Sequence, residues 1–335
     1  MIRQFLAVLL LIAFATACAR AQDAREVILA ARRTPVVEVI DATTLDTIAR
    51  FHFDLRVDKL QPSADGRELS IDGYPRDGGC CRHYLLDLAS LTLTDRNIRN
   101  YPIVYLPSPD GHWRFELRNF PGPSLTTVNL DTKEALQLVP AGLLPQDSEG
   151  NWAATGTWSG ERFYLYVASA NHPGFLWTVL PGDRQLGPGI PVDPFNAASG
   201  CRNRLPISKS LVVSGASLFI FEPFGSKADR TGVCQTQLPG GAWKLDPATG
   251  RLSAYIAPEF HFNVLRASQS GSTLYGVDPG SANWSGPVRL VSLDSQDGTI
   301  LKTRSFDPGV LQIAVGHLRG VPNGDVQVPS RRAGE

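Results

Sequence analysis

The chain has 335 residues, enough for two average domains or one large all-β domain. Hydrophobic residues make up 43% and charged residues 19%, which supplies a core and excludes global disorder, while 31 Gly and 25 Pro point to many turns. Lys+Arg and Asp+Glu both number 32, so there is neither the basic excess that suits nucleic acid nor an acidic tail.

The first element in chain order is MIRQFLAVLLLIAFATACARAQDA. Arg3 precedes an apolar run from Phe5 to Phe14, and small residues follow. The run is short for a bilayer span and reads as the core of a secretory signal. Ala19-Arg20-Ala21 supplies an A-x-A cleavage site, giving a signal over residues 1–21 and a mature domain over 22–335. Ala15-Thr16-Ala17-Cys18 offers a competing lipoprotein box with Cys18 as the lipidated residue, with Ala15 where Leu is usual. Simple export is the preferred reading, to a bacterial periplasm or the exterior, with an outer-membrane lipoprotein as the alternative. Cleavage removes Arg3 and Arg20, leaving 30 cationic against 32 anionic residues, a net of −2. No later segment reads as a membrane helix. Export implies an oxidising compartment, and without Cys18 the cysteines number four: Cys80, Cys81, Cys201 and Cys234. An even number there favours disulfides over catalytic thiols.

The mature chain then repeats itself. VVEVID-ATTL at Asp41 is followed by RHYLLD-LASL at Asp87, LTTVNLD-TKEAL at Asp131, GAWKLD-PATGRL at Asp246 and VRLVSLD-SQDGTI at Asp294, with a weaker copy at Gly182. Each is a strand, a turn opened by Asp, and a second strand. The Asp carboxylate can accept from N–H groups two or three residues on, so these residues read as turn formers and not as ligands. A second mark alternates with the first: Asp65-Gly66, Asp110-Gly111, Ser159-Gly160, Ser214-Gly215, Ser270-Gly271 and Asn323-Gly324. Such pairs favour the positive φ of tight hairpins. Two hairpin turns alternating in one phase define a four-stranded unit used repeatedly, and hence an all-β chain folded as one β-propeller. Six blades are expected, with seven as the alternative. The last blade is expected to be closed by strands from both termini, which removes exposed sheet edges.

VVEVIDATTLDTIARF resembles the repeats of YVTN-type propellers, which are related to the heavy-chain fold of quinoprotein amine dehydrogenases. LPSPDGHWRFEL resembles the SPDG repeats of TolB-type, WD40-like propellers, a periplasmic and six-bladed group. The resemblance covers most of the mature chain at the level of repeats. It implies architecture, and fold does not carry function.

With strands A to D numbered outward from the axis, the Gly turns join A to B and the Asp turns join C to D on one rim. The B–C and D–A loops then lie on the opposite face, where propellers usually place their sites, and all four mature cysteines map there. Cys201 and Cys234 sit in the two longest loops and are expected to form a disulfide. Cys80 and Cys81 have three open readings: bonded to each other, each paired elsewhere, or free. A vicinal pair beside a quinone occurs in some quinoprotein propellers. ARFHFDL and PEFHFNV share a Phe-His-Phe core at matching D–A positions, which places His52 and His261 as candidates for the axial mouth. His172, Asp54, Arg82, Arg202 and Asp278 are further candidates on that face. Trp152, Trp158 and Trp284 read as packing or rim aromatics.

The chain has no nucleophile elbow, no P-loop, no dinucleotide fingerprint and no metal-ligand spacing. The expected function is a non-catalytic binding or scaffold protein of the cell envelope that uses the cysteine-bearing face to hold a protein partner or small ligand. Two alternatives are a propeller subunit of a quinoprotein-type dehydrogenase, working with a chromophoric partner, and a stand-alone metal-dependent lactonase or hydrolase. The residues name no cofactor and no substrate.

Overall fold

The computed structural model describes residues 24–63, 66–75, 82–95, 103–108, 110–118, 124–139, 152–169, 174–192, 210–221, 240–280, 286–320 and 324–332. These residues form strands and turns with no helix, and the strands gather into six sheets. Each sheet contains one blade of four antiparallel strands, and two sheets carry a fifth, parallel strand, so the expected six-bladed propeller is the observed fold.

Blade 1 closes the ring. From the axis outward it consists of Gln312–Arg319, Ala24–Ala31, Val36–Asp41 and Thr47–His52. Blade 2 runs through Leu55–Pro62, Glu68–Pro75, Arg82–Asp87 and Thr92–Asp95, and blade 3 through Ile103–Pro107, Trp113–Arg118, Ser124–Asn129 and Ala135–Val139. Blade 4 consists of Trp152–Ser159, Arg162–Ser169, Gly174–Val179 and Ile190–Val192. Blade 5 is Ser210–Ser214, Ser217–Phe221, Ala242–Leu245 and Leu252–Ile256, and blade 6 is Val264–Ala267, Thr273–Asp278, Val288–Asp294 and Ile300–Phe306.

The near-continuous apolar run AREVILAA forms a strand because each of its faces meets another blade. Val27, Leu29 and Ala31 pack toward blade 2, in a cluster with Phe51, Phe53, Val57 and Leu86. Ile28 and Ala30 pack toward blade 6, in a cluster with Val277, Val288 and Leu290. Blade 4 behaves alike: Phe163, Leu165 and Val167 face blade 3, while Tyr164 and Tyr166 face blade 5. The core is thus a set of slabs between neighbouring blades.

Hairpin geometry follows the two sequence marks. Gly66, Gly111, Gly160, Gly215 and Gly271 all have positive φ in the A–B turns. In three of these turns a serine also closes the hairpin: Ser63, Ser108 and Ser268 accept from the N–H groups of Glu68, Trp113 and Thr273 at 2.9, 2.9 and 3.0 Å. In the C–D turns, Asp41 accepts from Thr43 and Thr44, Asp87 from Ala89 and Ser90, Asp246 from Ala248 and Asp294 from Gln296.

Two turn assignments differ from the sequence reading. In blade 3 the cap is Asn129, whose Oδ1 accepts from the N–H groups of Asp131 and Thr132, both at 2.9 Å. The amide oxygen does the carboxylate's work, which frees the Asp131 carboxylate to meet His112 at 2.9 Å. Gly324 opens no hairpin. It starts Gly324–Gln327, a fifth strand lying parallel on the outer strand of blade 1, and Ser330–Arg332 then lies parallel on the outer strand of blade 2. The C-terminal segment therefore covers two sheet edges that would otherwise offer unpaired N–H and C=O groups.

Candidate functional site

The first strand of every blade contributes to the lining of one axial cavity of about 540 Å³. The cavity occupies the half of the axis nearest the A–B turns, since Gly66, Gly160 and Gly215 help to line it. Leu106, Leu117, Trp158, Val212 and Val315 give it apolar wall. Trp158 is anchored by its indole N–H on the Leu106 carbonyl at 3.0 Å and packs on Phe115 and Phe163.

Three basic side chains line the same cavity, from three consecutive blades: Arg266 from blade 6, His317 from blade 1 and Lys59 from blade 2. Among the described residues, no Asp or Glu lines it. Each basic residue is placed by a local feature. Strand pairing in blade 2 slips between Val57 and Lys59, so Asp58 is the extra residue of a bulge and pairs with Arg33 at 2.9 Å. A bulge re-aims the side chain that follows it. Asp72, directly opposite Lys59, is engaged by the His83 ring at 2.9 Å. His317 follows Gly316, and its backbone N–H donates to the Gly66 carbonyl at 3.0 Å. Arg266 donates from Nη1 to the Leu265 carbonyl at 3.0 Å.

Among the described residues, the charged side chains that line the cavity are all basic. Arg266 Nε and His317 Nδ1 are both buried, and neither has a hydrogen-bond partner. Burial brings the Arg266 guanidinium down to about 10, which still leaves it charged at neutral pH. The carboxylate opposite His317 across the sheet is Glu26. The Glu26 carboxylate is occupied elsewhere: Tyr275 donates its hydroxyl at 3.1 Å and the Gln269 backbone N–H donates at 2.7 Å. Burial, then the Glu26 charge, pushes the Tyr275 phenol up, so that hydroxyl keeps its proton.

The residues picked from sequence on the opposite face are spread among the blades. His52 ends the outermost of the four strands of blade 1, with Nε2 3.4 Å from Asp325 of the C-terminal segment. Asp54 is exposed in the turn that follows. Arg82 pairs with Asp95 at 3.3 Å within blade 2. Asp278 is 2% exposed and held by Arg289 in blade 6, where the guanidinium also lies 4.9 Å over the Phe260 ring. His261 lies between blades 5 and 6, and the flanking Phe260 and Phe262 are buried and stacked at 5.7 Å. The Phe-His-Phe pattern is thus an inter-blade wedge in both copies. Cys18, Cys80, Cys81, His172, Cys201, Arg202 and Cys234 lie outside the described residues, as do Trp284 and the turn residue Asp65. Among the described residues no cluster of His, Cys, Asp or Glu is arranged to hold a metal ion, and no helix is long and apolar enough to cross a membrane.

Lys59, Arg266 and His317 were not singled out by sequence. They belong to no motif, and each sits in a different sheet. The available signal was positional: all three lie on the inner strand, Arg266 and His317 within a few residues of a glycine.

No family model matches the chain, and no curated protein matches it. Solved structures do. TolB from Acinetobacter baumannii aligns with a TM-score of 0.54 at 13% identity, over 88% of this chain and 66% of that one. Dihydro-heme d1 dehydrogenase NirN in complex with DHE aligns at 0.47 and 11% identity, over 88% and 75%. Apo AztD from Citrobacter koseri aligns at 0.43 and 16% identity, over 88% and 99%. This chain spans about two-thirds of the TolB chain's length. At these identities the likeness concerns the fold alone: the chain is a six-bladed β-propeller whose fold is similar to that of TolB.

Proposed function

We propose that this chain is an exported, non-catalytic binding propeller of the bacterial cell envelope, and that its ligand site is the axial cavity. The observation that carries the reading is the cavity itself. Its volume falls in the range of small-ligand sites, and it joins an apolar wall to a few placed polar groups. In this reading the ligand site lies toward the rim of the A–B turns, and the cysteine-bearing face is not needed to hold the ligand. The Cys201–Cys234 disulfide remains a proposal for stapling the long loops of blade 5. Export rests on the signal-like segment over residues 1–21, and the resemblance to TolB-type propellers supports a periplasmic location.

Thermal-shift screening of the mature chain against small metabolites tests the reading. A ligand should raise the melting temperature and perturb tryptophan emission, with the emission change lost in Trp158→Phe. Thr157→Trp and Ser210→Trp each fill the cavity from a different blade and should abolish the shift. A shift that survives both substitutions would place the ligand elsewhere and overturn the assignment. N-terminal sequencing of the processed protein should find Gln22 first; a full-length cytoplasmic product would contradict export.

A further inference from the structure

Burying a guanidinium N–H without an acceptor is expensive, because that donor loses its hydration and gains nothing in return. Buried polar atoms in native proteins are almost always satisfied, so an orphan calls for an explanation. Here two orphans, Arg266 Nε and His317 Nδ1, line one cavity, and Lys59 joins them from the next blade. Among the described residues, none of the three makes an ion pair with an acidic side chain; the nearby carboxylates of Asp58, Asp72 and Glu26 are committed to Arg33, to His83, and to Tyr275 and Gln269. In a recess bordered by Leu106, Leu117 and Val212, attraction between the Arg266 and Lys59 cations and an anion is stronger than in open water.

We propose that the axial cavity is an oxyanion site, built for a small organic molecule that presents a carboxylate or phosphate group to Arg266, His317 and Lys59. The guanidinium edge suits such groups because its N–H donors match the spacing of paired oxygens. His317 adds a donor in the state that carries a proton on Nδ1, and Lys59 adds a mobile point charge. The apolar wall around Trp158 takes the uncharged remainder of the molecule. This assignment rests on the axial cavity being the ligand site, and it specifies the chemistry of the ligand.

Calorimetric titration of the mature full chain provides the test, with citrate, inorganic phosphate and glucose 6-phosphate as anionic probes. Trimethyl citrate and glucose serve as their uncharged counterparts. The anions should bind saturably and the uncharged molecules should not. Tighter citrate would assign carboxylates and tighter glucose 6-phosphate would assign phosphate, and both support the proposal. Arg266→Met and His317→Gln should each weaken binding at least tenfold. Arg266→Met should also raise the melting temperature of the free protein, because it removes a charge that has no ion-pair partner among the described residues and whose Nε is unpaired; a purely structural arginine would do the reverse. Arg56→Met, at an exposed cation stacked on Tyr74 outside the cavity, should change nothing. Equal binding of charged and uncharged probes, lost in Thr157→Trp, would overturn the oxyanion assignment and leave the cavity as the site. Anion affinity unchanged in both Arg266→Met and His317→Gln would overturn it as well. Absence of binding by every probe in the wild type would also overturn it, while a metabolite shift sensitive to Thr157→Trp would still uphold the cavity.

Discussion

Arg304 on the outer strand of blade 6 reaches Glu38 of blade 1, with Nη2 2.9 Å from the carboxylate. The same guanidinium donates to the Leu45 carbonyl at 2.9 Å and to Thr47 Oγ1 at 2.8 Å. Thr47 in turn donates to Glu38 at 2.7 Å. This seam joins the last complete blade to the one built from both ends of the chain. Arg304→Met should therefore destabilise the ring by about 1–3 kcal/mol, since it leaves a half-buried carboxylate with one donor where it had two. Denaturant unfolding of the single and paired variants with Glu38→Gln measures this. A coupling energy near zero would show that the seam is held by the apolar slab alone.

Gly271 is the joint between blades 5 and 6. Its carbonyl accepts from Ser214 at 2.9 Å and from Ser295 at 2.8 Å. A Cβ added there would lie 2.1 Å from the Gly215 nitrogen, at a φ of +70°. Gly111 has a similar φ of +76° with open space around it. Gly271→Ala should cost about 3–5 kcal/mol, through clash plus left-handed strain, and Gly111→Ala about 1–2 kcal/mol, through strain alone. Equal losses in thermal unfolding would contradict the close approach.

Acid lability should track the C–D turns. The Ser90 backbone N–H holds the Asp87 carboxyl below its ordinary 3.8, burial opposes this, and Ser90 Oγ and the Ala89 N–H add to the lowering. Burial raises the Asp41 carboxyl, but the Thr44 N–H, the Arg25 guanidinium and the Thr43 N–H outweigh it, so it too is lowered. A depressed carboxyl contributes stability that is present above its unfolded value and lost as pH falls through its folded one. Stability should thus be flat at neutral pH and decline below about pH 4. Asp87→Asn keeps an acceptor in place, as Asn129 does in blade 3, so it should flatten the acid decline with little change at pH 7. Asp87→Ala removes the acceptor and should cost about 1–2 kcal/mol at pH 7. An unchanged acid slope in Asp87→Asn would remove this turn from the explanation.

The repeat and its two turn marks were legible because each depends on residues close in sequence: a strand, a cap and a glycine. The placement of Asp131 failed for a local reason, that asparagine and aspartate cap a turn equally well and the pair is two positions apart. Gly324 misled because a glycine before a short strand reads alike whether the strand folds back or travels to the outer edge. The wedge made by Phe51 and Phe53 was visible as alternation, whereas the neighbour of His52 is Asp325, nearly the whole chain away. The cavity was illegible for the same reason at larger scale. Lys59, Arg266 and His317 come together only after six sheets close into a ring.

The most direct measurement is a crystal structure of the mature chain grown with tungstate, an oxyanion that anomalous scattering locates without ambiguity. Tungsten is expected inside the axial cavity, with its oxygens within hydrogen-bond reach of Arg266 and His317. Tungsten bound only at outer cations such as Arg50 and Arg56, with the cavity holding none, would contradict it.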